Sequence, residues 1–257
     1  MAKKKQNKTQ QLSPEKYIIT KARSLPIEKC LINKDWKTLG EASIIVERQH
    51  KSGNRTLGIY LVDTFCLGMK SAYYMFNQDN IEYESIEERY SEAFEVEEIP
   101  YVEVHNIIYG AISYAEECGF EPVKEFAVAK YILEEDTEDI PLIEYEFGKD
   151  GKPFLMVNTQ LEASKLLPVL IENVGSGNFD YYIADNEDDE NEDEHDPYTE
   201  MNHEFDTDSF LNLFNKDHLV STIYNYQYPD YPTELIYKHH ELDAFFEPQN
   251  NFRLDKS

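Results

Sequence analysis

No apolar run in this chain reaches the roughly 18 residues that a membrane-crossing helix needs, which excludes a helical span. Cysteine is scarce. Cys30, Cys66 and Cys118 are odd in number and widely spaced, which excludes a disulfide scaffold and reads as reduced thiols in a cytoplasmic protein. Residues 1–11 are basic but lack the apolar core of a signal peptide. No GxxxxGK[ST] or GxGxxG occurs, and Lys149-Asp150-Gly151-Lys152 is too short to cradle a phosphate, so no nucleotide cofactor is implied. Zinc-ligand spacing is missing too: there is no HExxH, and His240-Glu241 lacks its second histidine. His195, His203, His218, His239 and His240 therefore read as ordinary surface or core histidines, and no cofactor is expected.

Positive charge is the other scarcity. Lys and Arg number 24 against 51 Asp and Glu, for a net charge of −27. The distribution is uneven. Residues 1–23 carry +6 and residues 185–208 carry −13, which leaves −20 for the rest. An acidic body repels phosphate backbones and argues against nucleic-acid binding, while it favours a protein partner with a basic surface. The tract 185–208 fails as a calcium loop. Counting from Asp185, Glu190 stands where the EF-hand glycine belongs and Asp196 where its glutamate belongs. It reads as a disordered acidic insertion, and residues 1–12 as a disordered basic tail.

What is present supports a core, with 41% hydrophobic residues and 13% aromatics. Ser13 followed by Pro14 predicts a helix start, continuing to about Arg23. Ile27–Asn33 reads as a strand, and Trp36 as part of a polar turn closed by Gly40. Ala42–His50 and Thr56–Phe65 predict a hairpin around Ser52-Gly53-Asn54, and their consecutive apolar residues predict a sheet covered on both faces. After Gly68 the chain reads as helical or irregular through Tyr73, Tyr74 and Phe76. Helices are predicted over Glu82–Phe94, Tyr101–Cys118 with Gly119 beyond its end, and Pro122–Tyr131, the last two forming a helix pair. Leu142–Phe147 and Pro153–Val157 flank Lys149-Asp150-Gly151 as a second hairpin. Gln160–Val174 follows as a helix, then Phe179–Ile183 as a strand, and Asp208–Phe214 as a last helix. The fold class is α+β: a small, mostly antiparallel sheet of hairpins packed against several helices. The domain spans 13–184, with a C-terminal helix and tyrosine-rich segment at 209–257 packing on it.

The strongest strand, Gly58-Ile59-Tyr60-Leu61-Val62-Asp63-Thr64-Phe65-Cys66, contains a lone Asp and a lone Cys. Asp63 is the weak candidate for a metal-binding or catalytic carboxylate, with Glu41, Glu47, Glu116 and Glu117 as companions. Its structural reading is a cap on the following turn, or a pair with Lys70 or a core tyrosine. Cys66 is the weak nucleophile candidate, with His50 or His105 as base; otherwise it is an inert core residue. Gly58-Ile59-Tyr60 matches the first half of the GIY-YIG nuclease signature, but the second half is absent and the match is rejected. The aromatics Tyr224, Tyr226, Tyr228, Tyr231 and Tyr237 suit either a recognition groove or a packed tail.

The segments Tyr17-Ile18-Ile19-Thr20-Lys21-Ala22-Arg23-Ser24-Leu25-Pro26-Ile27, Gly58 to Asp63 with Cys66 to Lys70, and Phe147 to Pro153 together are similar to a group of uncharacterised bacterial proteins. That resemblance implies a bacterial cytoplasmic protein and transfers no activity. The leading expectation is a non-enzymatic protein-interaction module engaging a basic partner. The alternative is a metal-dependent hydrolase, nucleases included, centred on Asp63.

Overall fold

The structure, a computed structural model, describes residues 12–184, all within the first of two units, Met1–Thr207. The acidic tract, the helix expected at 208–214, the tyrosine-rich segment and the histidines beyond 184 lie outside the described residues.

The described chain is α+β. Its elements are α1 (Pro14–Lys21), β1 (Ile27–Asn33), α2 (Trp36–Leu39), β2 (Glu41–Gln49), β3 (Arg55–Asp63), β4 (Gly68–Gln78), α3 (Asn80–Ala93), β5 (Val96–Glu98), α4 (Tyr101–Glu117), α5 (Phe126–Ala129), β6 (Phe154–Val157), α6 (Gln160–Asn173) and β7 (Asp180–Ile183). Five strands form an antiparallel sheet in the order β4-β3-β2-β1-β5. Strands β6 and β7 form a separate two-stranded sheet, parallel because α6 carries the chain back between them.

Period-two alternation splits the large sheet into two apolar faces. Ile32, Ile44, Tyr60 and Ala72 lie in register across one face and pack with Ile18 of α1 and with Val104, Ile107, Ile108 and Ala111 of α4. Leu31, Ile45 and Ile59 point to the other face, which α3 covers. The Arg55 guanidinium lies 4.2 Å from the Tyr83 ring, and the Tyr90 hydroxyl donates to the Ser43 carbonyl at 2.6 Å. Asp79 starts α3 with a full capping box, accepting from Ile81 and Glu82 while the Glu82 side chain accepts from Asp79 N–H. Ser13 caps α1 as expected, accepting from Lys16 N–H.

Four expectations require correction. Residues 68–78 are not helical but form β4, the longest strand. A bulge leaves Lys70 without an opposite residue between the pairs Leu61↔Ser71 and Val62↔Met69, and this breaks the alternation that would have revealed it. Trp36 sits in a single helical turn, closed by Gly40 in the left-handed region. The helix predicted over 122–131 shrinks to α5, because Val123 N–H turns instead to the Met69 carbonyl on the edge of β4. The second hairpin forms only its turn. Lys149 and Lys152 exchange backbone bonds around Asp150 and Gly151, both at positive φ, but 142–147 joins no sheet. Its backbone is engaged by the Asn106 side chain on α4, which donates to Pro141 O and accepts from Ile143 N–H, each at 3.0 Å.

Polar burial is concentrated at Arg48, which is 1% exposed on the α4 face. Its guanidinium donates to the carbonyls of Leu25 and Ile132 and pairs with Glu134 at 2.7 Å. These bonds tie the α1–β1 link and the 130–134 segment to one central strand. Arg48→Met leaves two carbonyls and a carboxylate without their partner. We expect it to lower the unfolding free energy by about 3–5 kcal/mol in urea denaturation. A loss below about 1 kcal/mol would show that packing, not this network, holds the segments.

Candidate functional site

Asp63 ends β3, and the chain then reverses through Thr64-Phe65-Cys66-Leu67 into β4. One oxygen of its carboxylate, Oδ1, accepts three backbone N–H bonds, from Phe65 at 2.9 Å, Cys66 at 2.7 Å and Leu67 at 3.2 Å. These donors point inward at the turn and have no strand partner, so the carboxylate replaces the water they would otherwise bind. The residue is 4% exposed. Burial pushes its pKa up, opposed by the Lys70 ammonium and by the Cys66 and Leu67 N–H groups, while Glu41 adds to the upward push.

Lys70 and Glu41 belong to the same cluster. Glu41 stands opposite Asp63 in the β2–β3 register, and the bulge on β4 aims Lys70 across β3 to a salt bridge with Glu41. Burial pulls the Lys70 pKa down, but the Glu41 and Asp63 carboxylates outweigh it and hold the ammonium above its ordinary value.

The turn that Asp63 organises is a docking point. Thr64 N–H donates to the Gly40 carbonyl, Gly148 N–H donates to Thr64 O, and Phe154 N–H donates to Phe65 O at 3.1 Å. The Phe65 ring covers Gly40, where a Cβ would fall within 2.1 Å of it, and meets the Phe154 ring edge-on at 6.1 Å. Cys66 joins Cys118, Leu155, Val157, Ala163, Leu170 and Ile183 in the core of the β6-α6-β7 unit. The turn thus links the large sheet to the small one.

Of the proposed companions of Asp63, only Glu41 is beside it. Glu47 pairs with Arg55 at 2.8 Å toward the other end of the hairpin, and Glu116 and Glu117 are exposed on α4. Among the described residues no group of three His, Cys, Asp or Glu side chains could hold a metal ion.

Neither histidine reaches Cys66 as a base. His50 Nε2 bonds Thr56 Oγ1 at 2.8 Å, and the ring joins Tyr17 and Phe76 in a cluster of three mutually touching rings. His105 meets the Tyr101 ring edge-on and the Tyr109 ring at a tilt, both on α4. The neighbour of Cys66 is Cys118. The hydrogen bond between the two thiols, together with burial, pushes Cys66 far up, and the same bond pulls Cys118 down. Sequence reasoning treated the cysteines singly and missed this pair. The available signal was that each stands within two residues of a glycine that ends or begins an element, Gly68 and Gly119. Cys30 lies in the other core, and burial pushes it up to about 12.

The Gly58-Ile59-Tyr60 triplet has a packing role. The Tyr60 ring folds over Gly58, whose Cβ would lie 2.3 Å from the Tyr60 hydroxyl, and that hydroxyl donates to Ala129 O at 2.9 Å. An open groove of about 510 Å³ lies between α4 and the 121–130 segment, lined by Tyr109, Glu116, Phe126 and Lys130 among others. It contains neither Asp63 nor Cys66. No described helix is long and apolar enough to cross a membrane.

Compared with protein-family models, with curated proteins and with solved structures, the chain matches none.

Two predictions follow from this geometry. Asp63→Ala strands three buried N–H groups and should cost about 3 kcal/mol in chemical denaturation, whereas Asp63→Asn keeps an acceptor oxygen and should cost less than half of that. Equal losses would assign the effect to charge rather than to the turn. The second concerns His105, which is 2% exposed with its Nε2 unpartnered. Burial lowers its pKa below 6.5, against the pull of Asp136, Glu135 and Glu134. The folded state therefore binds fewer protons than the unfolded chain. The stability this contributes is complete above about pH 6.5, is lost as pH falls from there, and levels off below the folded-state pKa. His105→Gln should flatten that part of the wild-type stability–pH curve, and a variant with an unchanged slope would assign it to other groups.

Proposed function

We propose that this protein is a non-enzymatic interaction module that binds a basic protein surface through α3 and the adjoining β5. The observation that carries this reading is a row of like charge. Glu84, Glu88 and Glu92 repeat every four residues along the exposed side of α3, followed by the exposed Glu98 of β5 on the same sheet face, with Glu97 turned to the other. None of the five forms an ion pair with a described residue, while the nearby cations are engaged elsewhere: Arg89, on the same helix, by the Ser85 carbonyl, Lys29 by Glu87, Lys34 by Glu95 and Arg55 by Glu47. Like charges at i, i+4 destabilise a helix by a few tenths of a kcal/mol per pair, and Glu92 sits in the last turn, against the helix dipole. The row weakens its own helix, and a cationic partner relieves that repulsion while being steered in by it.

The test uses the full chain and the triple variant Glu84→Gln, Glu88→Gln, Glu92→Gln. The variant should unfold at higher free energy by about 0.4–1 kcal/mol, which establishes the repulsion. Proteins captured by the wild type should release as salt is raised and should be lost by the variant. Partners retained equally by both, or indifferent to salt, would overturn the reading.

A further inference from the structure

We propose that Cys66 and Cys118 are a thiol pair that closes to an intramolecular disulfide under a hydroperoxide oxidant, stapling the β3–β4 turn to the C-terminal end of α4. The inference is independent of the acidic row on α3. Three observations place the pair. Both side chains belong to one buried cluster, with Leu155 and Ile183 among its other members. Gly68, two residues after Cys66, approaches α4 so closely that a Cβ there would lie 2.7 Å from Ala115 Cβ and 3.1 Å from Ala111 O. Cys118 caps that same helix one residue beyond its end and three residues after Ala115, on the side of α4 that meets Gly68. Cys30 sits in the separate core under α4, so Cys66 and Cys118 are the two free thiols that share one buried cluster among the described residues.

The chemistry is balanced by one hydrogen peroxide. The Cys118 sulfur attacks one peroxide oxygen, the O–O bond breaks, the displaced hydroxide takes the thiol proton and leaves as water, and Cys118 becomes a sulfenic acid. The Cys66 sulfur then attacks the sulfenic sulfur. The S–S bond forms, the S–O bond breaks, and the hydroxyl departs as water with the Cys66 proton. In sum two thiols lose two electrons and two protons, and the peroxide becomes two waters. Access is through the helix end. Glu117 and Gly119 on either side of Cys118 are exposed, so fraying of the last turn admits a small oxidant. Closure ties a loop of about 50 residues and fixes the turn that receives the Gly148 and Phe154 N–H groups.

The experiment treats the full-length protein with hydrogen peroxide and maps its peptides without reduction. We expect one product two hydrogens lighter, with the Cys66 and Cys118 peptides linked, Cys30 still alkylatable, and full reversal by dithiothreitol. The oxidised protein should melt roughly 8–15 °C higher than the reduced one. Cys118→Ser and Cys66→Ser should each abolish the link and the shift, and Cys30→Ser should leave both intact. The peptide map on wild type decides the matter even if a variant does not fold. Thiols that stay reduced, a different linkage, over-oxidation without a linkage, or a linked product that melts lower would each overturn the proposal.

Discussion

A single carboxylate oxygen, Asp63 Oδ1, holds the turn on which both sheets of this protein depend. Three N–H groups converge on it, and their carbonyl and side-chain counterparts face outward to receive the rest of the chain. Thr64 O takes Gly148, Phe65 O takes Phe154, the Phe65 ring closes over Gly40, and Cys66 enters the core of the β6-α6-β7 unit. Without an internal acceptor, the turn would need water in a place where Asp63 is 4% exposed. Lys70 completes the arrangement because the bulge on β4 frees it from the pleat and turns it toward Glu41. A charge buried in a strand is expensive unless it is used several times over, and here one oxygen serves three donors beside a paired lysine.

The same logic governs the other face of the domain. Arg48, on the central strand β2, satisfies the carbonyls where two segments leave regular structure, at Leu25 and at Ile132. The tyrosines extend this pattern. Tyr60 reaches Ala129 O, Tyr90 reaches Ser43 O, and Tyr101 accepts from Glu134 N–H. Each places an apolar ring in the core and its hydroxyl on a backbone group, and for Tyr60 and Tyr101 that group belongs to the 120–147 region. The region needs no sheet of its own because side chains supply its backbone partners, as the Asn106 amide does for residues 141 and 143.

That substitution of side chain for ladder marks the limit of what could be read from the sequence. Strands β1 to β3, helix α4 and the caps of α1 were legible because apolar period, Gly and Ser positions agreed locally. The segment 142–147 has strand composition and a true two-residue turn after it, yet its partner is a single Asn 35 residues upstream of its first bond, a distance no local pattern encodes. β4 hid for a related reason: its bulge shifts the period at Lys70, and both of its faces carry apolar side chains. For Asp63 the choice between a turn cap and a metal ligand depended on which N–H groups were left free, which only the turn geometry specifies. The thiol pair was illegible because Cys66 and Cys118 come from elements 52 positions apart, brought together by a glycine approach at Gly68.

Interior and surface then follow opposite rules. Inside, Asp63, Arg48 and Lys70 are each matched to donors, acceptors or opposite charge. Outside, α3 repeats glutamate at i, i+4 and i+8, and the one cation among them, Arg89, is turned to the Ser85 carbonyl, although the chain places lysine and arginine close by on Glu87, Glu95 and Glu47. Helix propensity does not explain the row, since glutamine is an equally good helix former without the repulsion. Solubility does not require it either, because residues 12–184 already carry 31 acidic against 16 basic side chains. The helix endures it because Asp79 and Glu82 secure its first turn and Tyr83, Ile86 and Tyr90 anchor its inner face. Those anchors act on the side of α3 turned toward the sheet, so the acidic side can be neutralised by a partner without disturbing a single buried contact. Recognition confined to that side would read chiefly as association rate and salt dependence, with the core left unchanged.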